Sequence, residues 1–358
     1  MATTLAPDDV VSTREEGEAN EREPLLVLDP LREFLSAHRL DAPSRLGAEP
    51  IGEGHSCVTF ELSTGVVLRR PPRGPLPPSA HDVLREARLL RALEPTPVRT
   101  PRVLAVCDDT EVMGAPFYIM ERIDGDVITS EIPDALDTPE QRRVIADELV
   151  DSLVELHDVD WNAVGLEGFG KPTGYLERQL RRFNGLWEHN RTREVPAVEE
   201  VGKWLADNLP ESGPATIVHG DYRLGNTMFA AGAPARLIAI LDWEMATIGD
   251  PLADLGYTMI HWIEPDDPVG RFNLQAVTTR PGFPTRQELI ARYEERSGRS
   301  MQALDWYVAL ALWKAVVFME GNYKRAVSGS TDDPYLKSFG EGVLELAERA
   351  LAVTREGF

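Results

Sequence analysis

One stretch constrains this chain more than any other: residues 217–229 read I-V-H-G-D-Y-R-L-G-N-T-M-F, and L-I-A-I-L-D-W-E follows at 237–244. The runs 227–229 and 237–241, separated by A-A-G-A-P-A-R, predict a strand, a turn and a second strand. That second, apolar strand delivers Asp242, while Asp221 and Asn226 lie five apart in the preceding loop.

Two carboxylates and an amide in this order suit phosphoryl transfer. That reaction needs a hydroxyl aligned with a γ-phosphate, and cations to hold the polyphosphate charge. A carboxylate must take the hydroxyl proton, the part assigned to Asp221. A carboxylate and an amide oxygen must hold magnesium, a hard cation that prefers oxygen ligands, and Asp242 and Asn226 supply them. Asp221 alone would read as a loop cap; the other two in register favour chemistry. His219 is read as a packing and hydrogen-bonding residue of the loop. Arg223 either neutralises the transferring phosphate or is a solvated surface arginine. Asp250 precedes Pro251 and a helix, the pattern of a helix cap, and Asp254 is read as structural too.

Upstream, residues 1–25 are acidic and poor in aromatics, and are expected to be a disordered tail. A helix is predicted near 30–38, and P-P-R-G-P-L-P-P at 71–78 must be a loop. Ser79 is expected to cap a helix over 80–93, in which Val83, Ala87, Leu90 and Leu93 share a face and Glu86 falls at its edge. Counting strand-like runs gives five strands and one helix between residues 45 and 121. Most of the remainder is predicted helical, at 140–157, 175–189, 198–208, 286–297, 302–327 and 333–353. The resulting expectation is an α+β chain of two lobes, with a small β-rich lobe at 26–120, a hinge at 121–126 and a larger helical lobe at 127–358. In I-G-E-G-H-S, Gly52 and Gly54, with Ser56, would let backbone amides approach phosphates, although turns also favour glycine.

The net charge of −22 argues against a nucleic-acid partner, which needs a basic footprint. Neither an apolar leader nor a run long enough to cross a membrane is present, and two cysteines form no disulfide framework. A cytoplasmic protein is expected.

H-G-D-x-x-x-x-N at 219–226, L-D-W-E, T-I-G-D-P-L-A-D-L and L-H-D-V-D-W at 156–161 together resemble the aminoglycoside-phosphotransferase and choline-kinase-like families, from about residue 40 to 350. The resemblance implies a protein-kinase-like fold with ATP, or GTP, as donor and Mg2+ as cofactor. It also implies a strand lysine on the phosphates, yet the first lysine in the chain is Lys171. V-V-L-R-R offers Arg69 or Arg70 instead. The family's strand pattern favours Arg69, with Glu86 as its partner. Backbone groups of Glu121 and Ile123 would pair with adenine.

Only seven residues separate Asp242 from Asp250, which leaves no room for the activation segment of a protein kinase. A small-molecule hydroxyl acceptor is therefore expected. The phosphotransferase domains fused to animal acyl-CoA dehydrogenases look most similar, and they suggest hydroxyacyl acceptors; the wider family suggests antibiotics. No dinucleotide or flavin fingerprint accompanies the resemblance, so no dehydrogenase activity is expected. Tyr307, Lys314, Glu320 and Arg325 of the long late helix are candidates to face the acceptor. A catalytically silent nucleotide- or metabolite-binding module is the alternative, supported by the arginine in place of lysine.

Overall fold

Alternating apolar residues build the first part of the chain around one antiparallel sheet. The structure is a computed structural model and describes residues 6, 8–51, 57–74, 81–268, 276–329 and 334–358. It divides into two units, Met1–Asp124 and Gly125–Phe358, each with its own core.

The first unit contains β1 (Val10–Val11), α1 (Arg14–Glu18), β2 (Leu26–Val27), α2 (Leu28–Ala37), β3 (Ala48–Pro50), β4 (Val58–Leu62), β5 (Val66–Arg70), α3 (Val83–Leu93), β6 (Val103–Cys107), α4 (Thr110–Met113) and β7 (Phe117–Glu121). Its sheet runs in the order β3-β4-β5-β7-β6. Phe60, Leu68 and Ile119 from three strands pack against Leu31 and Leu35 of α2, all fully buried. Because side chains alternate along a strand, Leu68 and Arg70 share one face of β5 and Arg69 takes the other.

Two expectations do not hold. Residues 8–27 are not a disordered tail. β1 pairs in parallel with β2, and Thr13 and Glu16 form a reciprocal cap on α1. Asp9 is buried and ion-paired with Arg73 and, at 3.6 Å, with Arg22. Arg70 lies buried and donates to the carbonyls of Leu25 and Pro71. Two distant arginines thus hold the segment, Arg73 by its ion pair with Asp9 and Arg70 by its bond to the Leu25 carbonyl. Nor does α3 begin at Ala80. His81 has a left-handed backbone (φ 56°), and Asp82 caps the helix by accepting from the Arg85 amide at 3.0 Å. Ser79 lies outside the described residues.

The second unit contains β8 (Asp126–Val127), α5 (Pro139–His157), α6 (Tyr175–Asn190), α7 (Pro196–Asp207), β9 (Thr216–Val218), β10 (Thr227–Phe229), β11 (Leu237–Ile240), β12 (Thr247–Gly249), α8 (Leu252–His261), α9 (Arg286–Ser297), α10 (Leu304–Val327) and α11 (Pro334–Glu356). The chain is thus α+β, as its sequence predicts. Buried α10 is the axis of this unit. Its Trp306 and Trp313 donate to the carbonyls of Leu205 and Val198, each at 3.0 Å, which fixes α10 to α7. Two small sheets flank the 219–226 loop in sequence. β10 and β11 form the expected hairpin, extended by β8, and β12 pairs with β9. The β9–β12 pair ties the chain entering the 219–226 loop to the chain leaving Asp242. Among the described residues, no helix is long and apolar enough to cross a membrane.

Candidate active site

The 219–226 loop is held from below by α8. Asp254, fully buried, accepts the Gly220 amide on Oδ1 at 2.7 Å and the His219 amide on Oδ2 at 2.6 Å. His157, at the end of α5, approaches the same Oδ2 through Nε2 at 3.2 Å, and its Nδ1 lies 2.7 Å from the Tyr293 hydroxyl. Burial holds the His157 imidazole below its usual pKa, against the pull of Asp254. Gly220 is required: its φ is +87°, and a Cβ there would sit 2.9 Å from the Met245 backbone oxygen.

His219 has its ring buried in the loop. Its Nδ1 accepts the Asp221 amide at 3.2 Å, so its Nε2 carries the proton and donates to the Leu241 carbonyl at 2.9 Å. One imidazole therefore bridges the Asp221 loop and the strand leading to Asp242. A second link runs beside it, from the Leu241 amide to the Asn226 carbonyl at 2.8 Å.

Asn226 donates Nδ2 to the Asp221 carboxylate (Oδ2, 2.7 Å) and to the Asp221 carbonyl at 2.8 Å. Both partners are acceptors, which fixes the amide's orientation and turns its oxygen away from Asp221. A carboxamide oxygen and the Asp242 carboxylate are the donor set a hard divalent cation takes, so the residues fit magnesium. The other Asp221 oxygen lies 3.5 Å from Arg223 Nε, and both side chains keep 24% of their exposure. Arg223 is thus neither a free surface arginine nor remote from the carboxylate. Asp242 has φ +61°, a left-handed backbone uncommon for a residue with a side chain.

Asp250 and Asp254 lie one turn apart and divide their work. Asp250 accepts the Leu252 amide at 3.1 Å, as expected of a residue at a helix start. It also accepts the Tyr307 hydroxyl at 2.7 Å, and burial pushes its carboxyl up. Asp254 is read from the sequence as structural, but its partners, the loop amides and His157, escape that reading. The signal that could have found them is a carboxylate inside the apolar helix A-D-L-G-Y-T-M-I, where a buried charge demands partners.

The late helix separates its four candidates. Tyr307 is committed to Asp250. Glu320, fully buried, accepts the Thr192 amide at 2.8 Å and hydroxyl at 2.6 Å and pairs with Arg193 at 3.3 Å. Arg325 is exposed. Lys314 instead lines a small cavity with Gly220, Asp254, Tyr257, Tyr307 and Leu310.

In the first unit, Arg69 and Glu86 meet. Arg69 donates Nε to Glu86 Oε2 at 2.9 Å and NH1 to the Thr59 hydroxyl at 3.2 Å. Glu86 keeps only 3% of its side-chain exposure, so this is a buried pair linking β5 to α3. Tyr118 lies against it, its hydroxyl pushed well up by burial and by Glu86. At the end of β7, the Glu121 amide donates to the Arg102 carbonyl at 3.0 Å, so an adenine contact there would fall to the carbonyl. Ile123 follows the strand. Gly52, Gly54 and Ser56 lie outside the described residues.

A family model described as "Phosphotransferase enzyme family" matches residues 47–305. Mouse acyl-CoA dehydrogenase family member 10 is 33% identical over 296 residues, covering 82% of this chain but 28% of that protein. The chain therefore spans less than a third of that relative's length. A solved structure from Ralstonia eutropha, described as a candidate aminoglycoside phosphotransferase, superposes with a TM-score of 0.78 at 30% identity, covering 92% of this chain and 98% of that one. The GDP complex of aminoglycoside 2'-phosphotransferase-IIIa shares the fold at 16% identity, with a TM-score of 0.59 and coverage of 90% and 99%.

Proposed function

The chain belongs to the phosphotransferase enzyme family, and from that premise we propose that it transfers the γ-phosphate of ATP, or GTP, to a hydroxyl group of a small molecule. Asp221 takes the proton of the acceptor hydroxyl. The hydroxyl oxygen forms a bond to the γ-phosphorus as the bond to the bridging β-phosphate oxygen breaks, releasing the nucleoside diphosphate. Asn226 orients Asp221 through its Nδ2 and offers its oxygen, with the Asp242 carboxylate, to Mg2+. Bound there, the ion would neutralise polyphosphate charge. Arg223, beside Asp221, faces the charge that develops on the transferring group. On the nucleotide side, Arg69 holds the phosphates and Glu86 aims it. The loop around Gly52, Gly54 and Ser56 contributes amides, and the backbone at Glu121 and Ile123 meets the base.

The observation that carries this reading is the two-point contact of Asn226 with Asp221, joined through the Leu241 amide to the strand that ends at Asp242. A loop cap would need none of these links. Antibiotics are the acceptor class that the neighbours' names bring forward, and the resemblance read from sequence adds hydroxyacyl compounds.

A nucleotide-turnover screen across antibiotics, amino alcohols and hydroxyacyl compounds tests the proposal, with Asp221→Asn as control. Nucleotide should raise the melting temperature only with Mg2+, and Asp242→Ala should abolish that rise. If no nucleotide stabilises the protein, the proposal fails. A specific feature, Arg69 in place of lysine, favours the second reading, a silent binding module. Stabilisation by nucleotide with no turnover on any acceptor would select it.

A further inference from the structure

Lys314 projects from the middle of α10 into the cavity beside the 219–226 loop. Lys314 is partly buried, and among the described residues its ammonium makes no hydrogen bond or ion pair; it lies 5.0 Å from the centroid of the Phe183 ring. A partly desolvated ammonium favours an anionic partner. Asp254 and Asp221 are the carboxylates that act on it. Asp254 also accepts the His219 and Gly220 amides and is approached by His157, and Asp221 accepts from Asn226. Burial pushes the Lys314 ammonium down to about 8, against the pull of the Asp254 and Asp221 carboxylates and helped by Arg182.

The cavity brings this ammonium to the edge of the loop that carries Asp221, although Asp221 itself does not line it. Its wall includes Gly220, which adjoins Asp221, and Tyr257, whose hydroxyl is pushed up by burial and by the Asp221 carboxylate. A molecule whose hydroxyl reaches Asp221 through this cavity would have its body beside Lys314. Tyr307 and Leu310 close the wall with an aromatic ring and an aliphatic side chain, so the body need not be polar.

We infer that Lys314 is the specificity-determining residue of the acceptor site, and that the acceptor carries an anionic group, a carboxylate or a phosphate, a short distance from its reactive hydroxyl. An anion there would complete the ion pair that the protein itself leaves open. A cationic amino sugar would set a second ammonium against Lys314 in a poorly solvated space. The inference rests on the phosphotransferase reading and narrows its acceptor class.

The test compares wild type with Lys314→Met and Lys314→Arg against three matched sets: short hydroxy acids and diol monophosphates, the neutral amides and esters of the acids, and amino alcohols of equal length. Melting temperature is read for each compound without nucleotide, and KM and kcat with nucleotide. Acids or monophosphates should stabilise wild type, and whichever of the two does so names the anion. Lys314→Met should lose that stabilisation and raise the KM for the anionic acceptor at least ten-fold, with less than two-fold change for the neutral analogue. Lys314→Arg should recover part of the preference, which a merely structural lysine would not explain. Amino alcohols binding wild type as well as the acids do would overturn the inference, as would an unchanged KM in Lys314→Met. Nucleotide stabilisation is measured on the same samples. Its loss in wild type would count against phosphoryl transfer, while anion binding would still decide the role of Lys314.

Discussion

Asp254 accepts the Gly220 backbone amide at 2.7 Å from inside the apolar core of the second unit. The residue next to the proposed base is thus held by a fixed charge on a helix, rather than by its own loop.

Replacing Asp254 with Asn turns one acceptor into a donor facing an amide. Leaving that group unsatisfied should cost about 2–3 kcal/mol, read as a fall of about 5–10 °C in melting temperature. Turnover should fall with it. Asp221→Asn, at a partly exposed side chain, should abolish turnover while leaving the melting temperature within about 2 °C of wild type. Thermal melts and steady-state kinetics on both variants separate holding the loop from reacting in it.

Adjacent arginines should part in the same way. Arg69→Ala should weaken nucleotide binding by about ten-fold, the scale of one charge-assisted contact. Arg70, which burial pushes down to about 10, serves the Leu25 and Pro71 carbonyls instead. Arg70→Ala should lower the melting temperature and leave the nucleotide Kd of the folded protein unchanged. Nucleotide titration by calorimetry beside a thermal melt checks both.

The acid limb of stability should depend on His261. Burial pushes this imidazole down to about 4 from an ordinary value of 6.5. Between those values the unfolded chain binds a proton that the folded chain refuses, so stability falls as pH drops through 6.5 and goes on falling to about 4. His261→Phe should flatten that limb, with the ring's contact to Tyr257 at 4.6 Å kept in kind. Urea unfolding from pH 7 to pH 4 is the measurement.

Glu320 offers a stability test away from the reaction. Glu320→Gln removes the charge that gathers Thr192 and Arg193, and should cost about 2 kcal/mol. The Mg-nucleotide Kd of the folded protein should not move. Urea midpoints, with nucleotide binding as control, decide it.

Much of this architecture can be read from residue order. The helices of the second unit show themselves by apolar spacing, and α9 falls at the bounds its pattern predicts. The pairing of Arg69 with Glu86 is what the family's strand pattern implies, helped by a glutamate at the edge of an apolar helix face. Asp9 fails the same reading because its partner Arg73 lies 64 positions away, and local composition cannot register a partner at that distance. Asp254 is obscure for another reason. Two of its partners are backbone amides, which any residue supplies, so nothing in the neighbouring side chains announces the contact. Lys314 is visible as a polar residue on an apolar helix, as are Tyr307 and Glu320. Only three dimensions reveal that those two hydrogen-bond inside the protein, and that among the described residues Lys314 meets an aromatic ring instead.

Asp242 sits at φ +61°, where a side chain costs roughly 1 kcal/mol that glycine would not incur. Its carboxylate is therefore kept against the preference of the backbone that bears it. Asp242→Gly relaxes the turn as it removes the proposed metal ligand, so an inactive protein could be the sturdier one. Decay of a descendant into a non-catalytic binder would be thermodynamically downhill at this position, and persistence of the aspartate across lineages would record selection for turnover rather than for folding.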